Sequence, residues 1–303
     1  MRPFLCVYGH TNLDYILCLK QFPEKNTSVN VEEKRSYYGG TGANVATIAS
    51  SLGVPTALCS YVGGDLPEGF RRQMTGSGVD LRDVVTVNGK ETPTVWIVSD
   101  QKHDQIAYVY QGPMARMEEF EPRTEAAMES DWVHIMTGRP DYYLKVMALC
   151  AKAGKQIGFD PAQEIHHVWD ARRFKRAISK ATAFFCNESE LQAALKYLGL
   201  KRPEQLLEHV EIVVNTLGSR GSRILTREDT LTVPAVKPKK VVDTTGAGDA
   251  FRAGIYAGRF RGYDLRKSAI VGAAAASYVI EARGSLTNVP TWSQVEARAR
   301  PLF

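Results

Sequence analysis

Short apolar runs alternate along this chain with longer segments of helical character, and that rhythm constrains the fold more than any other feature. Residues 5–8, 57–62, 133–136, 156–159, 183–186 and 212–215 read as strands; residues 43–52, 142–153, 171–181 and 189–198 read as helices. Strands joined through helices pair in parallel, giving an α/β fold with a mostly parallel central sheet and helices on both faces. Two stretches break the rhythm. Residues 28–38 alternate β-formers with charges, and 92–98 with 105–110 read as a hairpin around Ser99-Asp100-Gln101-Lys102-His103-Asp104. Lacking helices between them, these strands leave the main sheet as a small β appendage. It is either an edge sheet or a cover over a ligand, and ligands of open α/β sheets sit at the carboxyl ends of the strands.

Composition narrows the class. The chain has 303 residues, 44% hydrophobic and 23% charged, the proportions of a globular protein. A fold of this size buries about three-quarters of its extended-chain surface and needs no staple. One α/β domain over 1–303 is expected, with the appendage drawn from about 14–38 and 90–112. Lys and Arg number 38 against 33 Asp and Glu, for a net charge of +5. The longest basic cluster, Lys237-Pro238-Lys239-Lys240, falls short of the stripe a nucleic-acid binder needs. No apolar run approaches the ~18 residues of a membrane span, and the first residues carry no export signal. Cys6, Cys18, Cys59, Cys150 and Cys186 are odd in number and form no close pair. Buried thiols in a reducing cytoplasm are the expectation, with neither membrane nor nucleic acid as partner.

The chemistry concentrates in Val241-Val242-Asp243-Thr244-Thr245-Gly246-Ala247-Gly248-Asp249-Ala250-Phe251-Arg252-Ala253-Gly254. A strand ends, glycines follow at alternate positions, and a helix of small residues begins at Asp249. Unshielded N–H groups at a helix start stabilise an anion, together with the helix dipole. The dipole also keeps a carboxylate there ionised. Asp249 is then a proton acceptor next to an anion hole formed by Gly246, Ala247 and Gly248, which is equipment for activating a hydroxyl toward a phosphoryl group. No G-x-x-x-x-G-K-[ST] loop occurs, so a nucleotide must be held by other means. Gly39-Gly40-Thr41-Gly42-Ala43-Asn44 offers close backbone approach to a ligand, and Asn44 a donor and an acceptor for a pair of hydroxyls. In Gly9-His10-Thr11-Asn12-Leu13-Asp14, Asn12 and Asp14 point the same way if the segment is extended. An Asp so placed suits two vicinal hydroxyls of a ribose; an Asx turn closing the first strand is the competing account.

Taken together, these three motifs resemble the ribokinase (PfkB) superfamily of sugar and nucleoside kinases, in the right order across essentially the whole chain. The resemblance implies a Rossmann-like ribokinase fold in which the β appendage is a lid, and ATP-dependent transfer to an alcohol. It implies that Asn12, Asp14, Gly39, Gly40 and Asn44 hold the sugar. Asn187-Glu188-Ser189-Glu190 matches the family's N-x-x-E motif, tied to phosphate and Mg2+, the metal being reached by Glu190 through water; a capping box explains the same residues without a ligand. Thr216-Leu217-Gly218-Ser219-Arg220-Gly221 resembles the family's ATP-binding turn, with Thr216, Gly218 and Gly221 in contact, though a plain hairpin turn fits as well. Asp243 and Thr245, with residues 279–285, occupy the place of a monovalent-cation (K+) site in some members. Lid strands in the family can pair between subunits, which allows a homodimer.

Two details lean toward a nucleoside acceptor. Asp160-Pro161-Ala162-Gln163 is similar to a segment of prokaryotic nucleoside kinases in which the Gln meets the base, and Asp249-Ala250-Phe251-Arg252-Ala253-Gly254 looks like bacterial adenosine kinases. Trp96, Tyr108 and Tyr110 on the lid are candidates to cover a base or simply to pack. The expectation is transfer to the 5′-hydroxyl of a ribonucleoside of adenosine, inosine, guanosine or cytidine type, with Asp249 as general base. A ribokinase or other free-sugar kinase of the same family is the alternative. A nicotinamide-dependent oxidoreductase fits the alternation but lacks G-x-G-x-x-G after the first strand.

Overall fold

Alternate residues of the first strand face opposite ways, and each face meets its own core. Leu5 and Val7 enter one hydrophobic cluster and Cys6 and Tyr8 the other, all four fully buried. A strand buried on both faces needs layers above and below it, as parallel sheets do. The computed structural model describes residues 2–102 and 104–303; His103, in the expected hairpin turn, lies outside the described residues. Among the described residues the strands are β1 (Leu5–Tyr8), β2 (Asn12–Leu19), β3 (Val31–Gly39), β4 (Thr56–Gly63), β5 (Asp80–Val87), β6 (Thr94–Ser99), β7 (Gln105–Tyr110), β8 (Trp132–Ile135), β9 (Gln156–Phe159), β10 (Ala183–Asn187), β11 (Ile212–Thr216), β12 (Ser222–Leu225) and β13 (Thr230–Val233). The α-helices are α1 (Thr41–Ser51), α2 (Glu68–Gly76), α3 (Glu125–Glu129), α4 (Pro140–Lys152), α5 (Ala171–Ile178), α6 (Glu188–Leu198), α7 (Ala247–Phe260), α8 (Leu265–Val279) and α9 (Trp292–Ala299).

The larger sheet runs β13-β12-β11-β10-β9-β8-β1-β4-β5. It is parallel from β11 to β5, and antiparallel at the β11-β12-β13 edge. Helices α1, α2, α7, α8 and α9 feed the core on one face, through residues such as Val45, Phe70, Phe251, Val271 and Val295. Helices α3 to α6 feed the other, through Ala126, Val146, Phe174 and Leu191. A Cβ on Gly254 of α7 would lie 2.6 Å from the Gly272 Cα of α8. The two helices therefore meet backbone to backbone, which fixes the N-terminal end of α7 over the sheet.

The remaining strands form a separate four-stranded sheet, β3-β2-β6-β7, as their missing helices predicted. It begins at Asn12 and not near 14, because Asn12 pairs with Gly39. Strands β2, β5, β12 and β13 were not read as strands, β12 and β13 being four residues each, too short for a clear alternation; residues 241–242, read as the end of a strand, belong to none. Helix α7 begins at Ala247, two residues before the expected Asp249, because Gly246 adopts a left-handed φ of 78° and caps it. No described helix is long and apolar enough to cross a membrane. All five cysteines are free and four are buried.

Candidate active site

The strand ends at Asn187 and Thr216 lie side by side in register, and α7 brings its first turn to the same edge. Gly246 has two reasons to be glycine: its positive φ, and the Ser285 side chain that any Cβ would strike. The cap has no side-chain hydrogen bond. Among the described residues the N–H groups of Gly246 and Gly248 reach no protein acceptor, whereas Ala247 N–H donates to the Thr244 carbonyl at 3.2 Å. Ala247, expected with its neighbours in the anion hole, is thus turned into the preceding loop, and two of the three expected donors stay open.

Asp249 stands on this turn, partly open to solvent on the cleft side. Asn44 Nδ2 donates to Asp249 Oδ2 at 2.7 Å, and Ser285 Oγ donates to Asn44 Oδ1 at 2.8 Å. Burial pushes the Asp249 carboxyl up to about 6, against the Asn44 hydrogen bond and the Arg252 charge, which hold it down. Asn44, expected to offer both its amide groups to a substrate, instead spends its oxygen on Ser285 and one N–H on Asp249.

Asn12 and Asp14 follow on β2. Neither closes an Asx turn: Asn12 Oδ1 and Asp14 Oδ1 are buried atoms with no hydrogen-bond partner among the described residues. Such atoms await a donor, since leaving them empty costs about 1–3 kcal/mol each. Burial, then the Asp249 charge, pushes Asp14 up to about 7. Gly39 is glycine because the Asp14 carboxylate occupies the space a Cβ would take. Gly40, at φ 96°, would clash with the His10 carbonyl. The two glycines therefore shape the pocket that holds Asp14 and the entry to α1.

Strand register corrects one expectation. Tyr15, Trp96 and Tyr108 are directly opposite one another across β2, β6 and β7, and share a face; Leu13, Thr94 and Tyr110 share it too. Asp14 pairs with Val95, and Val95 with Val109, on the other face. Trp96, Tyr108 and Tyr110, candidates to cover a base, thus point away from the Asp14 side, and Tyr15 stacks on Trp96 there at 6.4 Å.

Two clefts meet at the start of α7. One, of about 670 Å³, is lined by Thr41, Gln163, Asn187, Glu190, Asp249 and Arg252 among others. The second, of about 550 Å³, runs from Thr216, Gly218 and Gly221 past Gly248 to the apolar Val236, Phe251, Ala276 and Ile280, room for a flat ring system. Gly218 and Gly221 sit in the β11-β12 hairpin, as the hairpin-turn account expects. The capping box is real as well: Glu190 N–H donates to Asn187 Oδ1 at 2.9 Å and Asn187 N–H to Glu190 Oε2 at 2.7 Å. The cap holds the buried Glu190 carboxylate on the cleft wall, where burial and then Asp160 push its pKa upward. Gln163 is exposed at the same cleft, and precedes it a strained Ala162 with φ 47°.

Asp243 ties the anion turn to the 280–285 segment. Its carboxylate accepts from Thr245 N–H at 2.9 Å and from Gly284 N–H at 3.0 Å. Burial works against these bonds, yet they keep its pKa below the usual value. The segment expected to share a cation site with Asp243 is therefore in contact with it, while Thr245 stays exposed.

A family model, that of the pfkB family carbohydrate kinases, matches residues 2–292. The chain belongs to this family. The nucleoside kinase of Methanocaldococcus jannaschii is 36% identical over 98% of this chain and 97% of its own length. Its crystal structure, described as an archaeal member of the ribokinase family, superposes with a TM-score of 0.91 at 35% identity, covering 99% of each chain. The nucleoside kinase of Methanothermobacter thermautotrophicus is 34% identical over 97% of this chain and 94% of its own. A Burkholderia thailandensis nucleoside kinase in complex with ADP-inosine matches the fold, with a TM-score of 0.85 at 23% identity over 99% and 96% of the two chains.

This pfkB-family kinase is a phosphotransferase acting on an alcohol group, and its geometry suits that task. Residues that motif reading passed over complete the site. Ser285 holds Asn44, and Arg252 forms a buried ion pair with Asp160. The signal for Arg252 was a single charge within Ala250, Phe251, Ala253, Gly254 and Ile255, a run that is otherwise buried. Ser285 stood out only within residues 279–285 of the expected cation site; its bond to Asn44 was out of reach because the two lie 241 residues apart.

Proposed function

We propose that this kinase transfers the γ-phosphoryl group of ATP to the 5′-hydroxyl of a ribonucleoside of adenosine, inosine, guanosine or cytidine type. The observation that carries the reading is the Asp249 carboxylate, fixed by Asn44 at 2.7 Å beside the open N–H groups of Gly246 and Gly248. Asp249 takes the proton as the hydroxyl oxygen attacks phosphorus, and the α7 turn stabilises the charge that develops on the transferring group. Asn12, Asp14, Gly39 and Gly40 take the ribose, the empty acceptors on Asn12 and Asp14 receiving its hydroxyls. Asn44 orients the base and has one N–H left for the sugar. Gln163 meets the nucleobase.

Thr216, Gly218 and Gly221 hold the ATP, with its adenine in the apolar cleft. The buried Glu190 carboxylate lines the same cleft as Asp249, an oxygen donor that fits a hard cation such as Mg2+. Glu190 holds it through water, and the metal when bound offsets phosphate charge. Asp243, Thr245 and residues 280–285 form a K+ site; replacing K+ by Na+ tests this by the change in turnover. The small sheet closes as a lid over the nucleoside and excludes water, which competes for the phosphoryl group. Trp96, Ile106, Tyr108 and Tyr110, exposed on the sheet's far face, pair two copies of the chain. The site of action is the cytoplasm, in keeping with five free thiols.

Nucleoside is preferred to free ribose because the archaeal relatives above are nucleoside kinases and because Gln163 stands at the cleft. The test is a panel of nucleosides and ribose with ATP and Mg2+, read by ADP release. Turnover of ribose with none of any nucleoside overturns the reading.

A further inference from the structure

Arg252 is a guanidinium only 6% exposed, and one of its nitrogens has nothing to do. Nε and Nη2 are both spent on Asp160, the Nη2 bond being 3.1 Å. Asp160 is itself fully buried and backed by His134, whose Nε2 is 3.6 Å away. Burial holds His134 neutral, and its Nδ1 meets the Tyr256 hydroxyl at 2.9 Å. Tyr256, His134 and Asp160 thus brace the fork from behind and fix its rotamer. Nη1 makes no hydrogen bond among the described residues, nor is it sealed from the cleft. It lies 2.7 Å from where a Cβ on Gly248 would stand. Arg252 lines the cleft with Asp249, Glu190 and Asn187, and is one helical turn after the base. Nη1 therefore presents its N–H groups to the cleft on a braced guanidinium, and at this point the neighbours are the donors of the anion turn.

We propose that Arg252 is a further catalytic residue: its Nη1 donates to an oxygen of the γ-phosphoryl group in flight, with Asp160 as the positioning residue that aims it. The inference rests on the phosphoryl-transfer reading above. The step balances without another reactant. The O5′–P bond forms as the bond from γ-phosphorus to the β,γ-bridging oxygen breaks, ADP leaves with that electron pair, and the hydroxyl proton goes to Asp249. Arg252 exchanges no proton. It donates to one equatorial oxygen as negative charge spreads over the three, the role in which a preset cation is worth most.

The test uses the full chain with inosine, ATP and Mg2+, and two readouts: steady-state kinetics, and affinity for ADP with and without inosine and aluminium fluoride, which mimics the transferring group. Arg252→Gln is expected to lower kcat about 100-fold, with the KM values for ATP and inosine within threefold. It should lose a similar factor in affinity for the aluminium fluoride complex while keeping its affinity for ADP. Arg252→Lys should recover part of both losses. Asp160→Asn should reproduce a weaker version of the same pattern. Because Arg252→Gln strands a buried Asp160, the double variant Arg252→Gln with Asp160→Asn keeps the pair neutral and is read alongside it. A kcat within threefold of wild type in both overturns the proposal. So does equal loss of ADP and aluminium fluoride affinity, which would mark a purely structural ion pair. Wild-type chain that turns over neither a nucleoside nor ribose fails the phosphoryl-transfer reading, and this inference with it. Active wild type with undiminished variants fails the inference alone.

Discussion

The two sheets of this kinase are built on opposite terms, yet both supply the site. All eight residues of β4 in the large sheet are buried, and all six of β7 in the small one are exposed. Each fully buried apolar side chain of the large sheet contributes on the order of 1.5–3 kcal/mol, so the ends of its strands are held in place. The small sheet lacks that anchorage and is drawn from the low-stability end of the molecule, where moving elements come from. Asp249, Glu190 and Thr216 stand on or beside the large sheet; Asn12 and Asp14 begin β2 of the small one. On the proposed roles, groups needing sub-ångström position sit on the packed body, and groups that meet the substrate sit on the small sheet.

The largest effect should therefore fall on kcat from the body. Asp249→Asn is expected to lower kcat by about 10²–10⁴-fold while KM for nucleoside and ATP stay within threefold, as read by steady-state kinetics. A rise in KM with kcat preserved would erase the distinction between the two sheets.

Next comes Asp14, which should act on binding. Asp14→Asn is expected to raise KM for the nucleoside about 10–100-fold, by putting an N–H donor where one of two carboxylate oxygens would accept a ribose hydroxyl. It should also stabilise the protein at alkaline pH. The folded carboxyl sits at about 7 against an ordinary 3.8. Its favourable contribution is complete below that ordinary value and is lost as pH rises through 7. At pH 8 the wild type carries a buried, unpartnered charge that the amide removes; at pH 5 Asp14 is already protonated. Because the unfolded carboxyl is still ionised at pH 5, melting curves should show the variant a few degrees higher at pH 8, less so at pH 5, and level with wild type only below about 3.8.

How much of this was legible beforehand follows from which contacts are local. The parallel sheet was readable because β1, β8, β9, β10 and β11 are apolar runs bounded by turns. The glycine turn that opens α7 was readable because Gly246, Gly248 and Asp249 are neighbours in sequence. The capping box at Asn187 and Glu190 was readable for the same reason. The Ser285–Asn44–Asp249 chain was not, because it joins three segments that meet only on folding. Nor was the direction of Trp96 and Tyr108, since one residue of register decides which face a strand residue takes. The short antiparallel edge, β12 and β13, was hidden by its length.

That hydrogen-bonded chain offers a third test, of medium size. With Asp249 at about 6, kcat/KM should rise as pH increases through 6, because the base works only when deprotonated. Asn44 holds the carboxyl down by donating to it, so Asn44→Ala should move the midpoint above 6. The variant's deficit, about tenfold at pH 6, should shrink by pH 8. A deficit independent of pH would mean that Asn44 serves the sugar and not the base.

The smallest effects separate the two faces of the small sheet. Val109 and Tyr108 are adjacent on β7 and both about half exposed, at 51% and 56%, so neither substitution should unfold the chain. Val109 shares the Asp14 face through Val95; Tyr108 shares the outer face with Trp96 and Tyr15. A charge facing a closing nucleoside must be desolvated, so Val109→Asp should raise the nucleoside KM by about 3–10-fold. Tyr108→Ser should leave that KM within twofold and act elsewhere, lowering the solution mass from two copies toward one by light scattering. If Tyr108→Ser raised KM and Val109→Asp did not, the outer face would be the one that meets the base, and the lid would close the other way round.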